Sequence, residues 1–236
     1  MPFPSPARVL EKLRRRGLAF SLSYAVHRLH EEYWDRKLRI RSLGGYLLES
    51  EGVGGQDAHD YSPESYLDFH RCLKWLSPEE RRGVFLDCGS GKGRIVLAAA
   101  RSPFRRVIGV EISPVLNRIA ERNLESARPL LRCRDVEFVT VDASAYEFPD
   151  DVTCVFVYNP FRGAVLAAVL ENLRRSLVRA PRALALIASN PDRCEEALAG
   201  AAWIAKMDEF HGLRPHTLFR AVPPASSTPP DRRPPR

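Results

Sequence analysis

Three glycines at alternate positions follow an acid at the end of an apolar run: Val84-Phe85-Leu86-Asp87-Cys88-Gly89-Ser90-Gly91-Lys92-Gly93-Arg94. Glycine leaves the backbone bare and free to take left-handed turns, so a ligand can lie directly against the chain here. Ile95-Val96-Leu97-Ala98-Ala99-Ala100 follows, a helix-forming run whose free N–H groups point back into the turn. A second apolar run, Val107-Ile108-Gly109-Val110, ends in Glu111, 18 residues past Gly93. An acid about 20 residues beyond such a turn is where a doubly wound sheet holds the two hydroxyls of a ribose. This spacing points to the binding of an adenosine-type cofactor.

Two glycine-turn chemistries fail on particular positions. A dinucleotide turn reads G-x-G-x-x-G, and Arg94 stands where its third glycine belongs. A phosphate-cradling loop reads G-x-x-x-x-G-K-[ST], but Leu86 replaces its first glycine and Gly93 replaces the hydroxyl residue that holds magnesium.

Asp87-x-Gly89-x-Gly91-x-Gly93 instead resembles the first motif of class I (seven-β-strand) S-adenosylmethionine-dependent methyltransferases. The resemblance implies S-adenosyl-L-methionine as cofactor, with Asp87 near its methionine end and the turn Gly89, Ser90, Gly91 and Gly93 against it. It implies Glu111 at the ribose and Asp142, after Val136-Glu137-Phe138-Val139-Thr140-Val141, near the adenine. Ile112, Ala143 and Asn159 complete the expected cofactor-binding set.

The fourth strand-like run ends Val155-Phe156-Val157-Tyr158-Asn159-Pro160-Phe161-Arg162. It resembles the N-P-P-[YF] motif of methyltransferases that modify adenine amino groups and glutamine amides, with one proline in place of two. On that resemblance Asn159 is a catalytic candidate, its amide oxygen accepting a hydrogen bond from a substrate amine. A plain strand stop accounts for the same residues. Tyr61 is the second catalytic candidate, and Tyr61, Tyr158 and Glu64 are candidate proton acceptors. Tyr61-Ser62-Pro63-Glu64-Ser65-Tyr66 ahead of the glycine turn resembles non-SET histone lysine methyltransferases, although Glu64 replaces a small hydroxyl residue. The D-x-G-S-G-x-G-R-I-V-x-A-A-A run is similar to mitochondrial lysine methyltransferases. Uncharacterised bacterial proteins with G-K-G-R and N-P-F are the nearest resemblance. Lys92 and Arg94 are open to three roles: the cofactor carboxylate, an acidic substrate, or structure.

These residues need a frame that gathers strand ends. The pattern predicts strands at 84–87, 106–111, 136–141, 152–158 and 182–188, and helices at 93–101, 114–126, 163–178 and 192–199. Strands near 203–210 and 217–222 close the expected sheet as an antiparallel pair. Such alternation predicts an α/β fold: a doubly wound, mostly parallel Rossmann-like sheet with a helical N-terminal extension. Ser65 to Leu76 reads as a further helix, as does Leu22 to Lys37 with Tyr24, Leu29 and Trp34 available for burial. The expected organisation is an extension at 1–60 serving as lid or partner surface, a methyltransferase domain at 61–222, and a disordered Pro/Arg-rich tail at 223–236.

The chain of 236 residues carries a formal net charge of +7, which attracts anions. Arg14-Arg15-Arg16 precedes a short apolar stretch that ends at His27-Arg28, too short for a membrane span. A basic amphipathic helix that packs on the domain or touches an acidic surface fits it better. Five scattered cysteines without a C-x-x-C pair fit a reducing cytoplasm, and no metal-ligand spacing stands out. The expected activity is N-methylation of a protein lysine, other protein amine or small-molecule amine. Nucleic-acid methylation and a non-catalytic cofactor-binding module are the alternatives. The acceptor itself is not named by any motif.

Overall fold

The structure is a computed structural model that describes residues 18–45, 61–159, 163–191, 197–198 and 200–221. Seven strands form one sheet: β1 (Val84–Cys88), β2 (Arg106–Glu111), β3 (Val136–Thr140), β4 (Val152–Tyr158), β5 (Ala185–Ser189), β6 (Ile204–His211) and β7 (Pro215–Ala221). Their order is β3-β2-β1-β4-β5-β7-β6. β1 to β5 pair in parallel, and β7 runs antiparallel between β5 and β6. β1 and β5 are buried along their whole length, which is why they read as unbroken apolar runs instead of alternating ones.

Helices α1 (Leu18–Leu38), α2 (Tyr66–Cys72), α3 (Pro78–Arg82), α4 (Arg94–Ala99), α5 (Pro114–Ala127) and α6 (Gly163–Arg179) connect and cover the sheet. One core joins Leu38, Phe69, Val96 and Leu124 from the helices to Phe85, Phe156 and Ile187 from the strands. Phe69 packs edge-on against Phe85 and Phe156, with ring centroids 5.8 and 5.4 Å away. The second core sets Leu166, Val169 and Leu173 of α6 on Leu86, Val155 and Leu186.

The strands at 106–111 and 152–158 fall where the pattern places them. The helix expected at 65–76 stops at Cys72 and tightens into a 3₁₀ turn at Leu73–Trp75. Helix α3 escaped the periodicity because it is only five residues long, yet its start is written locally. Ser77 Oγ accepts from the Glu80 N–H while Glu80 accepts from the Ser77 N–H, a reciprocal capping box behind Pro78. β5 begins at Ala185 instead of 182, where pairing with Cys154 of β4 and Arg220 of β7 begins; the Arg182 side chain bonds the carbonyls of Val152 and Ala180. Residues 1–17, 46–60, 160–162 and 222–236 lie outside the described set, as does most of the helix expected at 192–199.

Helix α1 departs from its expected orientation. Tyr24 and Leu29 stand exposed, and of the three expected core residues only Trp34 packs inward. The inner face is polar instead: His27, Glu31 and Asp35 are buried beside Leu38.

Candidate active site

The carboxyl ends of the parallel strands meet where the order reverses between β1 and β4, the crevice in which such sheets bind ligands. Asp87, next to last in β1, and Glu111, which ends β2, both lie buried there. The glycine turn is stitched to β2, with the N–H groups of Gly89 and Ser90 donating to the Val110 carbonyl at 2.8 and 2.9 Å. Gly91 and Gly93 take φ of 54° and 78°, in the left-handed region that glycine enters freely. Space demands glycine there as well. A β-carbon on Gly91 would lie 2.3 Å from the Tyr61 ring, and one on Gly93 2.7 Å from Phe138.

Glu111 braces this turn. Its two carboxylate oxygens accept from the N–H groups of Gly91 and Ser113 at 2.8 and 3.0 Å. Ile112 beside it is half-buried. The Val141 N–H donates to the Glu111 carbonyl at 3.0 Å, which brings Asp142 to the same edge. Asp142 is exposed and caps the 3₁₀ turn Ala143–Ala145, accepting from Ser144 N–H at 2.8 Å; Ala143 is buried. Burial holds the Asp87 carboxyl well above its ordinary range, and the nearby acids Glu111 and Glu64 push it the same way. The crevice thus gathers three acids, Asp87, Glu111 and Glu64, close enough to act on one another.

At the other side of the crevice, Asn159 follows β4 and Asn190 follows β5. Both take left-handed conformations, φ 46° and 56°, which asparagine tolerates better than other side chains with a β-carbon. The Asn159 N–H donates to the Ser189 carbonyl at 3.1 Å, and Asn190 Nδ2 donates to Asn159 Oδ1 at 2.5 Å. Asn190 was not anticipated from the sequence; the Ser189-Asn190-Pro191 stop after an apolar run was its one local signal. Pro160 and Phe161 of the N-P-F motif lie outside the described residues.

Tyr61 roofs the glycine turn. Its hydroxyl donates to the Ser42 carbonyl at 2.6 Å, and Lys92 Nζ sits 4.7 Å above its ring. Burial, then the charges of Asp35 and Asp87, raise its pKa well above that of a free phenol, so it holds its proton. Burial and Glu64 also raise Tyr158. Lys92 donates to the Leu43 and Gly44 carbonyls at 3.4 and 3.0 Å, tying residues 43–44 down over the turn.

Glu64 accepts from the Ser65 N–H at 2.6 Å and from Ser189 Oγ. Ser189 Oγ in turn lies 3.0 Å from His216 Nε2, and His216 Nδ1 donates to the Arg214 carbonyl at 2.9 Å. Glu64, Asp68 and His216 thus bring polar atoms within 4.8 Å of one another, a convergence that no spacing along the chain reveals. Partners inside the protein already engage each of them, Asp68 through the Leu213 N–H at 2.8 Å.

Arg94 explains the helical extension. It is only 2% exposed, and its guanidinium bonds Glu31, Asp35 (3.2 Å), Ser42 Oγ (2.8 Å) and the Glu64 carbonyl (3.1 Å) under the Tyr66 ring. A buried cation requires carboxylate partners, and α1 supplies them by turning its acids inward. Of the three roles open to Arg94, structure is the one its bonds satisfy.

Residues 85–180 match the family described as "Methyltransferase domain". No curated protein sequence matches the chain. Among solved structures, an RNA methyltransferase from Salinibacter ruber in complex with S-adenosyl-L-homocysteine is 25% identical, with a TM-score of 0.50 over 70% of this chain and 95% of that one. A putative methyltransferase from Escherichia coli is 19% identical, with a TM-score of 0.53 over 77% of this chain and all of that one. A magnesium protoporphyrin IX methyltransferase from Synechocystis PCC 6803 with bound S-adenosyl-L-homocysteine is 14% identical, at a TM-score of 0.50 over 67% of this chain and 83% of that one. These likenesses do not reach the finer resemblances to lysine enzymes or to proteins with G-K-G-R and N-P-F. The domain match over residues 85–180, the seven-strand sheet and the acid-and-glycine crevice lead to one assignment: the chain carries a methyltransferase domain on a class I-like seven-strand sheet and is an S-adenosylmethionine-dependent methyltransferase.

Proposed function

We propose that this enzyme methylates an amine nitrogen, on a protein side chain or a small molecule, by direct in-line transfer. The reading rests on Asn159. One lone pair of its side-chain oxygen takes the Asn190 amide, and the second remains to orient a substrate N–H.

S-adenosylmethionine suits the crevice for a physical reason. Asp87 carries a proton cost that a cation beside it would relieve, and the cofactor brings both an ammonium and a sulfonium. When bound it supplies a methyl group already activated for displacement. The residues of the chain then bind and align. Asp87 would hold the ammonium and Glu111 the ribose, the bare turn at Gly89 to Gly93 would admit the cofactor against the backbone, and Asp142 would serve the adenine. Ile112 and Ala143 wall the same edge. Tyr61 encloses the site and, with its proton held and donated to the Ser42 carbonyl, acts as a wall instead of a base. Tyr158 is raised too, so the amine reaches Asn159 already neutral, its proton left in solvent. Alignment at about 3 Å is then the enzyme's main contribution to rate.

Nucleic-acid methylation is the second reading, favoured by the charge of +7 and by the Salinibacter ruber likeness. Tritiated S-adenosylmethionine added to source-cell lysate, separated into protein, nucleic-acid and small-molecule fractions, decides between them. Label confined to nucleic acid would overturn the amine reading. We assign the catalytic domain to 61–222, and the enzyme to the cytoplasm on its scattered cysteines, of which Cys72, Cys88, Cys133 and Cys154 are unpaired among the described residues, as parts of the same proposal.

A further inference from the structure

Helix α1 is mounted inside out. Its polar side is held inward by Arg94, so Leu22, Val26, Leu29 and Tyr33 stand outward, 66%, 51%, 69% and 54% exposed. Steps of four, three and four residues place them on one stripe, about 17 Å long at the helical rise. An apolar stripe of this kind ordinarily faces a core. This one faces outward.

Cations rim it. Arg28, Arg36 and Lys37 are exposed along its margins, against a single acid, Glu32, which Arg28 and Arg36 reach at 3.2 and 3.6 Å. Arg36 and Lys37 also line a shallow cavity of about 370 Å³ with Leu29, Glu32 and Tyr33. Its lining offers apolar contact and a surplus of positive charge side by side.

We propose that the outward face of α1 docks on the surface of an anionic lipid bilayer. The four apolar side chains seat at the boundary of headgroups and acyl chains, with Arg36 and Lys37 on lipid phosphates. Other occupants satisfy only half of the surface. A second copy packed antiparallel would cover the apolar stripe but set Arg36 and Lys37 against the apolar Leu22 end of its partner, with no acid there to pair them. A nucleic acid would pair the cations and leave four apolar side chains in water. The helix lies in the plane of the surface: no helix among the described residues is long and apolar enough to cross a membrane. Because the inner face of α1 holds Arg94 beside the glycine turn, docking would keep the crevice close to acceptors borne on that surface.

The test is sedimentation of the full chain with vesicles of phosphatidylcholine alone, and with about one-third phosphatidylglycerol added. Binding to the anionic vesicles only is expected, falling about fivefold or more in Leu29→Asp and in the pair Arg36→Glu and Lys37→Glu. Leu29→Asp changes an exposed position and should keep the wild-type melting temperature. The charge-reversed pair also loses the Arg36–Glu32 pair and the Lys37 contacts with Tyr33 and Trp34, so its melting temperature is measured alongside and its binding is compared at a temperature where both variants are folded. Absence of wild-type binding overturns the proposal. So does Leu29→Asp binding as well as wild type, which would assign attraction to charge alone, such as Arg14-Arg15-Arg16. A lipid-free dimer in light scattering that Leu29→Asp abolishes would make the stripe a self-association face, and polyuridylate binding lost in Leu29→Asp would make it a nucleic-acid face. Either result also overturns the proposal.

Discussion

Asn190 donates its side-chain amide to the side-chain oxygen of Asn159 at 2.5 Å, joining the ends of β4 and β5 where both chains turn left-handed. The oxygen proposed to orient the substrate is thus held in place by a residue 31 positions away. Asn159→Ala should lower turnover on the labelled acceptor fraction at least about tenfold while cofactor affinity changes little, since the lost contact aligns substrate. Asn159→Asp should keep part of the activity because a carboxylate still accepts the bond. Asn190→Ala should have a smaller effect, through looser positioning. Turnover and melting temperature measured on the same preparations separate this from a strand-stop role, which would lower stability and leave turnover per folded molecule near normal.

Glu111 serves the turn as well as the expected ribose. Glu111→Ala removes the acceptors of the Gly91 and Ser113 N–H groups together with the ribose contact. Calorimetric affinity for S-adenosylmethionine should fall by about 1.5–3 kcal/mol, the worth of a charge-assisted bond. Unchanged affinity in a folded variant would remove Glu111 from the cofactor site.

Gly91→Val should abolish the upward shift of melting temperature that S-adenosylmethionine gives the wild type. The branched side chain would enter the Tyr61 ring and impose a disfavoured φ. Combining it with Tyr61→Ala relieves the clash but not the dihedral strain. The double variant should therefore regain stability and only part of the binding.

Asp87 links the site to pH. Its pKa is raised, first by burial and then by Glu111 and Glu64, so the folded state holds this proton more tightly than the unfolded chain. The stability it contributes is whole below the unfolded value and is lost as pH rises through the folded one. The ligand-free enzyme should lose stability from above the ordinary carboxylate range upward, and Asp87→Asn should flatten that loss while weakening S-adenosylmethionine binding. Binding to the wild type should release protons, seen as a dependence of calorimetric heat on buffer ionisation. Parallel melting curves for wild type and Asp87→Asn across pH would refute the assignment.

Arg94 is charge-compensated only while Glu31 and Asp35 face it. Glu31→Gln or Arg94→Met should each destabilise the fold by about 3–5 kcal/mol, since one partner is left charged and buried. Denaturant unfolding of the two variants and their double measures the coupling. Additive losses would show that the contact carries none.

The parallel sheet and the glycine turn at its edge were legible along the chain, because both follow from local rules. Fully buried parallel strands must be written as continuous apolar runs, and a bare turn against a ligand must be written in glycine. Acids at strand ends place Asp87, Glu111 and Asp142 along one edge in order, the edge proposed to hold the cofactor. What escaped is whatever depends on two distant segments meeting. Asn190 on Asn159, His216 on Ser189 and Glu64, and Glu31 and Asp35 on Arg94 leave no periodicity, since each residue alone reads as an ordinary polar position. Helix α1 shows the cost of relying on pattern alone. Its apolar stripe predicts an inward Leu29, but a buried Arg94 needs carboxylates more than the core needs another leucine, so the tertiary structure turned the helix over.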